Sequence, residues 1–286
     1  MSSQLVWLIT GTSTGFGREL ALAALERGER VIATARASSV HKLDDLREKG
    51  AAVIELNVTA PIDALKSIAH EAIGIYGQVD VLVNNAGYIQ SGTVEETTPE
   101  EALAQFNTNV FGALNVARVF LPYMRARKTG TVVWMGSVGG WRGTPAAGLY
   151  CSTKWALRGI NDSLAMEIEP LGLRSVIFDF GYFRTPFLTS SKWKRQESGK
   201  GIEDYRAIAE WTDNALTATN GNQPGDPKKG VRVVLDIVRG EGAASGKAIP
   251  RSVLLGSDCF DTVQTEIKKW EETQREWESV SRSTDY

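Results

Sequence analysis

The chain predicts an α/β protein in which a doubly wound sheet of seven parallel strands carries helices on both faces, within a single domain. Two observations point there. Short β-branched apolar runs alternate with helix-period segments along the chain, and most runs are continuously apolar, as strands covered on both faces are. The intervening segments also carry helix start and stop residues where the alternation needs them.

The seven runs are residues 5–9, 30–35, 52–56, 79–83, 131–135, 175–180 and 253–255. Between the first two, Leu20, Ala21, Ala24 and Leu25 fall at helical spacing, and Gly28 follows as a stop. Thr98-Pro99-Glu100-Glu101 combines a cap residue, proline at the first helical position and acids in the first turn, opening a long helix toward Met124. Asp226-Pro227 repeats this start before 231–238. Residues from about 186 to 225 break the rhythm. They are rich in Lys, Ser, Gly, Asn and Thr with scattered aromatics, and so long an excursion reads as a substrate lid, with one short helix near 202–211. From about 258 to 282, Phe260, Val263, Ile267 and Trp270 mark a charged surface helix.

Composition narrows the function. Charged residues make up 23% and the formal net charge is −2, with both signs interspersed, which leaves no field for nucleic acid or an anionic membrane. Small molecules are the expected partners. Cys151 and Cys259 belong to no cluster of metal-ligand spacing, and His41 and His70 stand alone in polar segments, so no metal site is expected. No apolar run approaches the roughly 20 residues that cross a bilayer. With no leader pattern at the N-terminus, the expected location is the cytoplasm.

Directly after the first run stands Thr10-Gly11-Thr12-Ser13-Thr14-Gly15-Phe16-Gly17, and a helix begins at once. Glycines there suit a tight turn, close approach of backbone to a pyrophosphate and packing of helix on strand, while the helix N-terminus offers N–H groups to the anion. Taken alone, the turn also fits an ordinary βα connection. Arg36 ends the second run, nineteen residues after Gly17, where an acid would meet a ribose 2′-hydroxyl. A guanidinium fork instead suits a 2′-phosphate, which favours NADP(H); a solvated strand-end arginine is the alternative. Tyr150 and Lys154 sit four residues apart in a helix-like segment, on one face. A phenol of ordinary pKa near 10 is a poor base at neutral pH, and a partly desolvated Lys154, helped by the positive nicotinamide, is the expected means of lowering it.

Taken together in order and spacing, these motifs resemble the short-chain dehydrogenase/reductase family over nearly the whole chain. The family's TGxxxGxG pattern falls on 10–17, its NNAG element on Asn84-Asn85-Ala86-Gly87, and its helix asparagine on Asn109. Its strand-end serine falls on Ser137, thirteen residues before Tyr150, and Lys154 completes the tetrad. The resemblance implies a Rossmann-like fold and an NADP(H)-dependent interconversion of ketone or aldehyde with alcohol. Tyr150 would pass the proton, Ser137 bond the substrate oxygen, Lys154 lower the phenol pKa and bind ribose, and Asn109 hold a water in the proton relay. Implied cofactor contacts are Gly11, Thr12, Ser13, Thr14, Gly15, Phe16, Gly17, Arg36, Asn57, Val58, Asn85, Ala86, Gly87, Gly181, Phe183 and Thr185, with Tyr150 and Lys154. A homodimer or homotetramer is implied, built on the helices around Asn109 and after Tyr150.

Two departures stand out. Phe180-Gly181 replaces the family's Pro-Gly, which predicts a looser backbone near Tyr182. Asn57 replaces an Asp expected to meet adenine, keeping an acceptor and adding a donor. Tyr88, Trp141, Tyr182, Phe187 and Trp193 join Ser137 and Tyr150 as expected substrate contacts, and so many aromatics suggest a bulky apolar or aromatic carbonyl compound. Local text around 181–187 and 225–229 is similar to members acting on retinoids, steroids or polyketide-derived compounds. The competing functions are a non-catalytic dinucleotide sensor and an epimerase or imine reductase on the same fold.

Overall fold

The computed structural model describes residues 4–188, the backbone of 193–194, and residues 201–286. In chain order the elements begin β1 (Val6–Ile9), α1 (Gly15–Glu26), β2 (Arg30–Ala35), the short α2 (Ala37–Val40) and α3 (Asp44–Glu48), and β3 (Ala52–Glu55). There follow α4 (Ile62–Tyr76), β4 (Val81–Asn84), β5 (Ile89–Gln90), α5 (Pro99–Phe106), α6 (Ala113–Arg127), β6 (Gly130–Met135), α7 (Gly148–Ile168) and β7 (Leu173–Phe180). The remainder is β8 (Trp193–Lys194), α8 (Arg206–Thr219), α9 (Pro227–Arg239), β9 (Ser252–Leu255) and α10 (Ser257–Arg282).

Seven strands form one sheet in the order β3-β2-β1-β4-β6-β7-β9, every pair parallel. Each of the seven apolar runs became one of these strands. Strand β1 shows why its run is continuous. Trp7 and Ile9 enter the core beneath α1 and α9, while Val6 and Leu8 enter the opposite core beneath α4, α6 and α7. Full burial of such a side chain stabilises by about 1.5–3 kcal/mol, so both parities of the strand favour apolar residues. The chain leaves β1 toward β2 on one side and reaches β4 on the other, and a cleft opens outside the carboxyl ends of strands at such a switch point.

The helix signals read correctly, with two differences. Thr98 and Glu101 form the reciprocal capping box at the start of α5, and Asp226 caps α9 through the N–H groups of Lys228 and Lys229. The helix from Pro99 is not uniform, because a π turn over Asn107–Gly112 separates α5 from α6. Gly112 permits it: a Cβ there would lie 2.9 Å from the Val58 side chain. The expected short helix near 202–211 is instead α8, which runs on to Thr219 because neither glycine nor proline interrupts it before Gly221. Strands β5 and β8, two residues each and paired in parallel, are too short to leave a periodic signal. The C-terminal helix matches its predicted bounds closely. Cys259 and Val263 anchor it, and everything from Lys268 onward is exposed.

Candidate active site

The glycine-rich turn is held by its neighbours on both sides. Thr12 donates its hydroxyl and its N–H to the Thr34 carbonyl of β2. The Thr10 hydroxyl accepts the N–H groups of Asn85 and Ala86. The Asn85 amide donates back to the carbonyls of Thr10 (2.7 Å) and Gly11 (3.1 Å). Gly17 has to be glycine, since a Cβ would fall 2.4 Å from the Asn85 amide nitrogen and 2.7 Å from the Gly11 oxygen. Gly11 and Gly15 adopt φ +72° and +64°, the left-handed region that side chains resist. The result is a cradle of backbone N–H groups at the start of α1 that a Cβ would fill, which fits a dinucleotide pyrophosphate. Thr14 precedes the helix without bonding it through its side chain, and it faces the cleft with Gly11, Gly15, Phe16, Asn85 and Gly87. Ser13 lies in the same turn but not on the cleft wall.

Arg36 stands exposed at the end of β2, and its side chain makes no hydrogen bond or ion pair with any described residue. Asn57 differs from expectation. Its Oδ1 accepts both the N–H and the hydroxyl of Thr59, so a local turn already occupies the acceptor proposed for adenine. Val58 is buried against Gly112.

The tetrad residues come from three elements. Ser137 follows β6, and its N–H donates to Asp179 Oδ1 while its hydroxyl accepts the Gly139 N–H. Tyr150, in the first turn of α7, sets its hydroxyl beside that of Ser137, and both line the cleft. Lys154 lies one turn on, with Nζ 5.5 Å from the Tyr150 ring centre and donating to the Met135 carbonyl at 2.6 Å. All three line one cleft. Asn109 lies deeper, in the π turn: its Oδ1 accepts the Tyr88 N–H and its Nδ2 donates to the Tyr88 carbonyl and the Thr153 hydroxyl. With both amide hydrogens engaged, the side chain is a buttress for the strand-end backbone. A relay water would have to use its carbonyl groups.

Burial raises the Tyr150 phenol well above its ordinary range, with the Ser137 hydrogen bond acting against it. In the cofactor-free chain, desolvation of the phenolate outweighs the effect of Ser137, and Lys154 points its ammonium at a carbonyl. Burial also brings Lys154 down to about 8, with the buried Asp179 carboxylate opposing the fall. Asp179, fully enclosed, accepts from Arg158, the Trp141 indole and Ser252 through Oδ2. Its pKa is raised by burial, while the Arg158 guanidinium pulls the other way.

Trp141 therefore corrects a substrate assignment. Its indole N–H bonds Asp179 and its ring stacks beneath the Arg158 guanidinium, 3.7 Å away, so it serves this buried ion pair and does not line the cleft. Tyr88, Tyr182 and Phe187 do line it, the Phe187 ring 6.1 Å from that of Tyr150. The Trp193 side chain lies outside the described residues.

The segment after β7 is firmer than its missing proline suggested. Phe180 pairs in register with Leu255 and is buried between the rings of Phe16 (4.1 Å) and Phe183 (5.4 Å). Gly181 and Gly256 leave room for the Asp258 carboxylate, which accepts the Tyr182 N–H at 2.6 Å. Thus the start of α10 fixes the backbone that carries Tyr182, Phe183 and Thr185 into the cleft. Asp179 and Asp258 carry no sequence motif; only their contacts reveal them.

Comparison with known proteins agrees with this geometry. The family model described as short chain dehydrogenase matches residues 5–196. Oxidoreductase BOA17 of Botryotinia fuckeliana is 31% identical over 96% of this chain and 97% of its own length. The NADPH-dependent pterin aldehyde reductase of Arabidopsis thaliana is 35% identical over 77% of this chain and 89% of its own. A short-chain dehydrogenase from Streptomyces avermitilis, solved as a crystal structure, superposes with a TM-score of 0.88 at 35% identity, all of both chains being covered. A family match across two thirds of the length, on a glycine cradle and a serine–tyrosine–lysine cleft, means that the chain belongs to the short-chain dehydrogenase family of oxidoreductases.

Proposed function

We propose that this protein is an NADP(H)-dependent reductase of bulky apolar or aromatic ketones and aldehydes, with Tyr150 as the proton donor. The observation that carries the reading is the Tyr150 hydroxyl set beside that of Ser137 in a cleft shared with the glycine cradle. Residues 11–17, with Arg36, Asn85 and Thr185, would hold the dinucleotide, which supplies a hydride from its nicotinamide when bound. A phenol kept neutral by burial is suited to reduction: it gives its proton to the carbonyl oxygen, while the Ser137 hydroxyl orients that oxygen. Lys154 holds positive charge near the phenolate that remains. The kinship with a pterin aldehyde reductase described as NADPH-dependent supports both the cofactor and a flat, bulky substrate.

Two results test this reading. Arg36→Asp is expected to lower the NADPH-to-NADH ratio of kcat/KM by about 10–100-fold, the worth of a charge-assisted bond to phosphate. An unchanged ratio would remove the 2′-phosphate assignment. With Lys154 near 8, its ammonium is present below that pH and lost above it. The kcat/KM for ketone reduction should therefore fall as pH rises through about 8, and a Lys154→Met variant should lack that limb of the profile.

The segment around 186–225 serves as a lid in this proposal. Residues 189–192 and 195–200 of that segment lie outside the described residues; after them, Ile202 N–H donates to Glu96 and the Tyr205 hydroxyl to Glu95, in the loop after β5. Leu103, Phe111, Trp155 and Met166 stand exposed on α5, the π turn and α7, which supports pairing of two copies across those helices. Two free, buried cysteines and the absence of any membrane-length apolar helix among the described residues are compatible with the cytoplasm.

A further inference from the structure

The substrate end of the cleft is apolar on nearly every side. Ile89, Ala147, Cys151, Phe187, Leu188 and Leu216 gather around the Tyr150 ring. Gln223, in the turn after α8, lines the same cleft. Gln223 is 1% exposed, and its Oε1 accepts the Gly221 N–H at 2.9 Å. That bond settles the orientation of the amide, because the oxygen end must face Gly221 and the NH2 end the other way. Nε2 is buried and has no hydrogen-bond partner among the described residues. The backbone around it is fixed too: Arg184 donates to the Gln223 carbonyl, and Gly225 N–H to that of Tyr182.

A buried N–H without an acceptor is costly, so a rigid one on the wall of a ligand cleft points to a ligand that completes it. The chemistry is one-sided. Gln223 has a donor to offer and its acceptor is engaged, so the matching group on the ligand is an acceptor. A bound dinucleotide also carries acceptors. Yet Leu216, seven residues earlier near the end of α8, belongs to the group around Tyr150 and Phe187, which favours the substrate side of the cleft for this donor.

We infer that Gln223 reads a second acceptor atom on the substrate, remote from the carbonyl that Tyr150 and Ser137 engage. The inference rests on the reductase reading above and sharpens its substrate class to apolar ketones or aldehydes bearing an ether, ester, further keto oxygen or ring nitrogen. Sites built to bond a polar substrate group discriminate strongly against analogues without it, because the protein group is then left unpaired.

The test uses the full-length protein with NADPH and ketones in isosteric pairs of increasing reach: chroman-4-one against 1-tetralone, p-methoxyacetophenone against p-ethylacetophenone, and 4-acetylbiphenyl against its pyridyl analogue. Wild type should favour the acceptor-bearing member of at least one pair by about tenfold in kcat/KM, and Gln223→Met should bring that ratio close to one. Equal rates within every pair for the wild-type protein would overturn the inference without recourse to any variant. So would a preference that survives in Gln223→Met, or a variant whose change lies in the KM for NADPH alone, since the donor would then serve the cofactor. Failure of the wild type to reduce any ketone would overturn the reductase reading and this inference with it.

Discussion

Replacing Tyr150 with phenylalanine is expected to lower ketone reduction by about 10²–10⁴-fold while leaving NADPH binding, measured by calorimetry, within a few-fold of wild type. The reason is local. The ring is buried between the Phe187 side and the Lys154 side of the cleft, and phenylalanine keeps that packing. What disappears is the hydroxyl, and with it both the donor to the carbonyl oxygen and the partner of Ser137. Burial keeps the phenol protonated across the physiological range, so its loss should be felt in the reductive direction at every pH from 6 to 8. Turnover within tenfold of wild type would mean that the proton comes from elsewhere.

The second large effect is one of stability. Asp179→Ala should cost about 3–5 kcal/mol of folding stability, read as a shift in the urea midpoint, because it strands the Arg158 guanidinium in a site only 15% exposed. Ser252, Trp141 and the Ser137 N–H would lose their acceptor in the same step. Asp179→Asn should cost less, since its amide oxygen can still accept one or two of these bonds. In both variants Lys154 loses the Asp179 charge that opposes its desolvation, so the high-pH limb of the rate profile should move to lower pH. A midpoint unchanged in Asp179→Ala would show that the ion pair contributes nothing net.

Periodicity and motif spacing made the sheet legible because each signal is local. A continuous apolar run such as Trp7-Leu8-Ile9 reports burial on both faces, and Thr98-Pro99-Glu100-Glu101 carries its own cap. The proposed tetrad was legible only through the family resemblance, since the four-residue spacing on α7 puts Tyr150 and Lys154 on one side but says nothing about Ser137, which follows β6. Trp141 was misread because aromatic character suits a stacked cation as well as a ligand, and only the fold shows Arg158 against it. The looseness expected at Phe180 was misread for a related reason: the rings that grip it come from residues 16 and 183, far away and close by in the chain respectively.

By itself, then, the sequence determined the seven strands, their order of appearance and the glycine-rich turn between the first strand and helix, and its family resemblance pointed to Ser137, Tyr150 and Lys154. Tertiary structure alone decided which acids stand behind these residues, Asp179 under Ser137 and Asp258 under Tyr182, and that the Gln223 amide is buried at the cleft wall. Pattern within an element follows from the repeat of helix or strand, whereas burial, charge balance and hydrogen-bond partners depend on segments up to hundreds of residues apart, and desolvation exists only once they have closed around a group.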